Sequence, residues 1–570
     1  MKSLRDMFER IETKNQFSTG EAKPINCDSS IWMRSCEKEI LQPIEGITTG
    51  RVPEWLRGSL LRNGPGNLKF GNMKFKHLFD CCTDSQVCIY TYFNEIIGID
   101  EFAICDGKVT YQCRFLQTKA FKKNTSANRI VVTEFGTKAV PDPCHSIFKR
   151  VSSVFNPSEC WSDNALVSIY PIGDEYYAFT EIPVIHRIQP DTLKTIGRVN
   201  VTDYINIVNH TSHPHVAADG TVYNLGLTLQ PAGPRYIILK FPRTTAQSDE
   251  KIDRSPFAEA QIVGTVPVRW KLYPSYMHSF GITKNYFIIV EQPICVSAIK
   301  AAACIIANDP PVKTFKWFEK EKTMFHVVSR ATGKLVKSFS AEAFFYLHVI
   351  NQYEDQGHIV IDICCYKNPS MLECMYFEAL KNATSDPNYA KMFRGRPLRY
   401  ILPLGNKSPS GGNKNVNLVK LPIARATAFQ VTKNTVALYP ELLCNIGCET
   451  PRINYDRCNG KKYRYFYAIS SDVDLENPGT LIKVDTVTRT RKLWCEPNVY
   501  PSEPVFVVAP NPRREDDGVI LSALVWGGQD VNKVALLILD AITWTEVARA
   551  EFTTHSPVPK CLHGWFIQDK

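Results

Sequence analysis

The sequence predicts an all-β protein whose sheets close on themselves, and three observations carry that expectation. Short runs rich in Val, Ile, Tyr and Phe, each ended by Gly, Pro, Asn or Asp, recur along the whole chain, at 166–170, 176–181, 221–225, 236–239, 286–290, 358–364 and 534–539. Tight-turn dipeptides separate such runs at Asp106-Gly107, Gly173-Asp174, Asp219-Gly220 and Asp517-Gly518. The third observation is length. Open sheet edges invite pairing with other chains, so this many strands must be closed. A chain of 570 residues exceeds one sandwich or simple barrel, whereas roughly six to eight four-stranded propeller blades with long loops use about this much.

The remaining elements are few. Helical periodicity is convincing only at the N-terminus and around 375–393, so helices read as insertions on a β scaffold. The Lys-, Ser-, Gly- and Asn-rich stretch 406–417 reads as a surface loop. No linker divides the chain, which is read as a single domain, residues 1–570.

Composition narrows the function. Hydrophobic residues at 44% and charged residues at 22% are those of an ordinary globular protein. A formal charge of +10 is not gathered into a basic run, and no zinc-finger or ribonucleoprotein signature is present, so nucleic acid is not an expected partner. The first ten residues mix both charge signs without an apolar core, which reads as cytoplasmic. Nineteen cysteines, odd in number and often inside apolar runs, read as buried free thiols.

Twelve histidines are few enough to weigh singly. His213, His278, His348 and His563 each lie among aromatic or apolar residues, and a buried imidazole needs a hydrogen bond or a metal. Taken alone, each reads first as a core histidine. Four in one closed all-β chain raise the metal reading, because inner strands converge on an axis. Their spacing matches no local zinc motif. Glu181, Glu449 and Glu503 lie in similarly apolar settings, where a carboxylate is costly unless paired. Each suits a turn contact or the outer N–H of a metal-bound histidine.

Several stretches together resemble the carotenoid cleavage oxygenase family, which also includes the retinoid isomerohydrolase of the visual cycle. They are Gly58-Ser-Leu-Leu-Arg-Asn-Gly-Pro-Gly, Glu134-Phe-Gly-Thr, Pro141-Asp-Pro-Cys, His213-Pro-His with Asp219-Gly-Thr-Val-Tyr-Asn, Ser275-Tyr-Met-His-Ser-Phe-Gly, Ile350-Asn-Gln-Tyr-Glu-Asp, Tyr500-Pro-Ser-Glu-Pro and His563-Gly. Pro141-Asp-Pro-Cys-His and Thr180-Glu-Ile-Pro-Val-Ile-His-Arg are most similar to the insect carotenoid isomerooxygenases.

The resemblance implies a seven-bladed β-propeller with a cap of loops and helices over the iron face. It implies Fe(2+) bound by His213, His278, His348 and His563, with Glu181, Glu449 and Glu503 as the outer carboxylates. His215 is left as a structural neighbour. The implied reaction is O2-dependent cleavage of the central 15,15' double bond of a carotenoid to retinal, with trans-to-cis isomerisation of one half. A retinyl ester isomerohydrolase and a non-catalytic carotenoid-binding propeller stand as alternatives.

Because a carotenoid has no ionisable handle, an apolar tunnel must place it, and Thr180 and Tyr353 are expected to shape that tunnel. The stretch 292–308 reads either as a patch lying on a membrane surface or as a cap helix, within a candidate insertion at 292–325. Two stretches depart from the family pattern, Cys81-Cys-Thr-Asp-Ser-Gln-Val-Cys and 298–325.

Overall fold

The computed structural model describes residues 4–17, 26–80, 86–93, 108–140, 161–243, 255–405, 416–422 and 424–568. The Pro141-Asp-Pro-Cys stretch, the Asp106-Gly107 turn, residues 81–85 of the departing segment and nearly all of the 406–417 loop lie outside these.

Every run expected to be a strand is one, because β-branched and aromatic residues at alternating positions fit a pleated surface buried on one or both faces. Ser168–Ile172 and Glu175–Phe179 pair across the Gly173 turn, and Gly518–Trp526 pairs with both Val505–Val508 and Lys533–Asp540. Among the described residues, seven sheets carry four to six strands, and two more are two-stranded. Pairing is antiparallel except where Leu335–Ala341 meets Thr435–Tyr439.

The sheets follow one another in a propeller-like ring and pack face to face. Tyr467 of one sheet stacks on Trp544 and Phe506 of the next, with ring centroids 5.8 and 5.6 Å apart. Phe325 and Tyr400 bridge another pair of sheets at 4.9 Å.

Distant parts of the chain close the ring. Gly58–Arg62 pairs along its whole length with Gly564–Gln568, and Ile47–Gly50 pairs with Glu546–Thr553. Gly564 permits the first closure. A Cβ there would meet the Leu61 carbonyl oxygen at 2.4 Å and the Arg62 Cδ at 2.7 Å.

Beyond the N-terminal helix, the described helices lie between strands, as expected. The N-terminal helix is Leu4–Phe17, while 375–393 resolves into two short helices, Phe377–Lys381 and Tyr389–Met392, rather than one. Lys119–Ala127 was not foreseen: it lacks an apolar stripe and is held by its ends. Thr118 accepts from the Phe121 N–H, and Asn128 takes a left-handed conformation. The stretch 292–325 is an excursion between the paired strands Tyr286–Glu291 and Thr323–Ser329, and it carries the helix Ala298–Ala307. The described cysteines are free thiols, most of them buried.

Candidate metal centre and cavity

Each of the seven larger sheets delivers one side chain to a common point. His213 lies between Asn209–His210 and His215–Val216, and His278 precedes Gly281–Ile282. His348 sits within Phe345–Asp355 where the pairing register shifts, and His563 immediately precedes Gly564–Gln568. Glu181 follows Glu175–Phe179, Glu449 begins Glu449–Arg452, and Glu503 separates Val499–Pro501 from Val505–Val508. Four sheets thus give histidines, and the other three give carboxylates.

The rings converge. Centroids are 4.6 Å apart for His213–His278 and His213–His563, 4.9 Å for His213–His348 and His348–His563, and 5.0 Å for His278–His348. Ligand atoms of His213, His348 and His563 all lie within 4.8 Å of one another. His278 joins them with its Nε2 at 3.0 Å from that of His213.

Behind three rings stand the three carboxylates. The distances are 2.5 Å from His278 Nδ1 to Glu181, 2.5 Å from His348 Nδ1 to Glu449 and 2.8 Å from His563 Nδ1 to Glu503. An ionised carboxylate only accepts, so each Nδ1 donates and each Nε2 is left with its lone pair. The fourth ring differs: His213 Nδ1 faces the Tyr170 hydroxyl at 3.5 Å.

At His213, His563, Glu449 and Glu503 burial and pairing set the charge. Burial, and then the neighbouring imidazoles, hold His213 well below its ordinary pKa. Burial also takes His563 down to about 4, against the pull of Glu503. Burial alone would raise Glu503, but Arg452, His563 and Arg62 more than offset it and hold the carboxyl below its usual range. Glu449 is lowered in the same way, His348 overcoming burial.

This donor set fits a metal cation. Imidazole lone pairs turned toward one another repel unless a cation lies between them, and the buried Nε2 of His348 has no hydrogen-bond partner.

The cluster opens onto a cavity of about 630 Å³ whose lining includes His278, His348 and His563. That volume lies in the range of small-molecule sites. Apolar side chains such as Phe135, Leu347 and Met371 make up much of the wall, and Thr180 lies on it. Leu229, Lys271 and Ile305 extend the lining toward the helix Ala298–Ala307. The adjoining surface carries exposed Leu229, Leu272, Ile299 and Ile306.

Tyr353 corrects the expectation, for it is not on this wall. It lies five residues beyond His348 on an extended strand, about 17 Å further along, and is buried against Tyr463 with ring centroids 6.3 Å apart. His215 is structural, held by the Phe280 carbonyl at 2.9 Å and the Tyr455 hydroxyl at 3.1 Å.

Sequence reasoning missed several participants. Tyr276 donates to Glu181 at 2.7 Å, and Arg452 and Arg62 both reach Glu503, at 3.0 and 3.3 Å. Tyr276 and Arg62 lie inside the quoted motifs, so the motifs pointed at them. Arg452 carried no such signal.

A family model described as retinal pigment epithelial membrane protein matches residues 33–568. The carotenoid isomerooxygenase of Galleria mellonella is 52% identical, the match covering 95% of this chain and 97% of that protein. That of Drosophila melanogaster is 48% identical, covering 95% and 93%. The human beta,beta-carotene 15,15'-dioxygenase is 36% identical, covering 93% of each. Among solved structures, cobalt-substituted Synechocystis apocarotenoid oxygenase aligns with a TM-score of 0.70 at 21% identity, covering 95% of this chain and 99% of that one.

Proposed function

We propose that this chain, which belongs to the retinal pigment epithelial membrane protein family of carotenoid oxygenases, cleaves the central 15,15' double bond of a carotenoid with O2 to give retinal, isomerising one half from trans to cis. The observation that carries the reading is four converging imidazoles, three of them with Nδ1 held by a carboxylate and Nε2 turned inward, beside an apolar cavity. The names and identities of the insect relatives support the isomerising form of the reaction.

His213, His278, His348 and His563 would hold Fe(2+). When bound, Fe(2+) supplies the unpaired electrons that let O2 react with a closed-shell polyene. Glu181, Glu449 and Glu503 keep three Nδ1 protons in place, which fixes each tautomer and ring orientation. Four neutral ligands leave the metal's charge uncancelled at first contact, and the carboxylates offset it from behind.

The cavity supplies regiochemistry. An apolar polyene is held by shape alone, and Thr180 is part of the wall that sets which bond lies beside the histidines. A wall that admits one half only when bent supplies the isomerisation.

The substrate comes from lipid, and the chain works as a peripheral protein on the cytoplasmic side of a membrane. Exposed Leu229, Leu272, Ile299 and Ile306 around the lining that reaches Ala298–Ala307 support a patch lying in the headgroup region. No helix among the described residues is long and apolar enough to cross a bilayer.

The deciding experiment incubates iron-loaded protein with a symmetric carotenoid under 18O2 and resolves retinoids by isomer and mass. Labelled retinal in equal all-trans and cis amounts is expected. All-trans product alone removes the isomerisation, and ester hydrolysis without an O2-dependent product replaces the reading with an isomerohydrolase.

A further inference from the structure

Lys560 is buried, 6% exposed, and lies on the wall of the same cavity as His278, His348 and His563. Its backbone N–H donates to the Ile31 carbonyl at 3.3 Å, and its ammonium lies 4.9 Å from the centre of the Trp32 ring. Among the described residues no carboxylate pairs with it. The charged or titratable groups that face it are the thiols of Cys27 and Cys561 and the guanidinium of Arg62.

A structural buried lysine looks different. Lys483 is about as buried, but its ammonium meets Asp516 at 2.6 Å and also donates to the Ala541 carbonyl. An ammonium deprived of water and of a carboxylate is costly, and the group responds by giving up its proton. Burial accordingly takes the Lys560 amine down to about 8. Cys27 offers no counter-charge, since burial pushes its thiol up to about 12. A desolvated amine in an apolar pocket is the setting in which lysine attacks carbonyl carbons.

The cavity, on the reading above, makes two aldehydes at each turnover. Two residues separate Lys560 from His563, a Cα–Cα span of at most about 10 Å, and both line the one cavity, so the amine and the reacting bond share one chamber. We propose that Lys560 is a carbonyl-capturing residue that holds one retinal product as an imine until hydrolysis frees it. The inference rests on the proposed cleavage reaction for its physiological aldehyde.

The step balances without any oxidant or reductant. The Nζ lone pair adds to the carbonyl carbon, and the carbonyl oxygen takes up a proton to give a carbinolamine. Loss of the hydroxyl with the remaining amine proton forms C=N and releases one water, and the same water reverses the step. With no carboxylate beside it the imine stays unprotonated, so its absorbance lies near that of the free aldehyde and is not red-shifted.

The test supplies all-trans-retinal directly to iron-loaded full-length protein, reduces with sodium borohydride to fix any imine as a secondary amine, and maps retinyl-modified peptides by mass. Near-stoichiometric modification of the peptide bearing Lys560 is expected, with lysines off the cavity, such as exposed Lys433, labelled only in trace. The adduct disappears in Lys560→Met and Lys560→Arg. In the unaltered protein, excess retinol, which fills the cavity but has no carbonyl, suppresses it. Absence of the Lys560 adduct, or equal labelling of surface lysines, overturns the proposal. Because retinal is added from outside, protein that cleaves carotenoid without Lys560 labelling sinks this inference alone. Labelling in protein that cleaves no carotenoid sustains the lysine site and sinks the cleavage reading.

Discussion

Glu503 and Glu181 each orient one histidine through a carboxylate–Nδ1 hydrogen bond, but from opposite surroundings. The Glu503 side chain is 2% exposed and shared among Arg452, Arg62, His563 and the Gly564 N–H. The Glu181 side chain is 29% exposed, lies on the cavity wall, and has the phenol of Tyr276 as its other partner. One ring is thus held by a buried set of compensating charges and the other by a neutral partner at a cavity surface. Orientation of a ligand and stability of the fold are tied together at Glu503 and separable at Glu181.

Breaking the ligand itself has the largest expected effect. His563→Ala removes one of the four converging imidazoles together with the ring that Glu503 holds, and bound iron, measured by metal analysis of purified protein, is expected to fall to near zero. Full iron stoichiometry would remove His563 from the centre.

The comparison is sharpened by the matched pair Glu503→Gln and Glu181→Gln. Both weaken metal retention about 10- to 100-fold, measured by chelator competition. Only the first strands buried guanidinium groups, at a cost of about 3–5 kcal/mol in denaturant unfolding, whereas the second changes stability by about 1 kcal/mol. Equal destabilisation would erase the distinction.

pH supplies the sign. The folded-state pKa of Glu503 is depressed, so its ionised form stabilises the fold above the ordinary carboxylate value and that contribution is lost as pH falls through the depressed one. In metal-free protein the stability gap between the unaltered chain and Glu503→Gln is therefore full at pH 7 and shrinks only below about 4.5. A gap that persists unchanged at low pH would assign the effect to packing.

Arg452→Gln has a smaller effect, because Arg62 still faces Glu503. About 1.5–3 kcal/mol of stability is expected to go with the charged hydrogen bonds. Tyr170→Phe has the smallest. The 3.5 Å contact to His213 is too long to hold the ring, and metal retention within about twofold of the unaltered protein is expected by the same chelator assay.

The closed all-β architecture was legible because burial of strand faces writes itself into residue choice, as in 358–364, a nearly continuous apolar run that is the strand His358–Tyr366, buried on both faces. The four histidines and three glutamates were found singly by their apolar settings and as a set by family resemblance. Spacing could not bring them together, since the shared point is made by seven sheets and has no local sequence period. Tyr353 misled because nearness in sequence to a motif is distance along an extended strand. Arg452 and Lys560 escaped because a cation's burial depends on tertiary neighbours that no window of sequence contains.

The strand pairing of Gly58–Arg62 with Gly564–Gln568 sets an order of events during synthesis. Arg62 donates to the Leu562 carbonyl, 500 residues away in the chain, and His563 is the next residue. Nascent sheets can form as they emerge, at about 5–20 residues per second, while the fourth histidine of the cluster is still untranslated. Completion of the four-histidine cluster therefore accompanies ring closure, and a chain that stalls before Gly564–Gln568 carries only three of the histidines. A metal that needs all four histidines would select among finished molecules and could not chaperone unfinished ones.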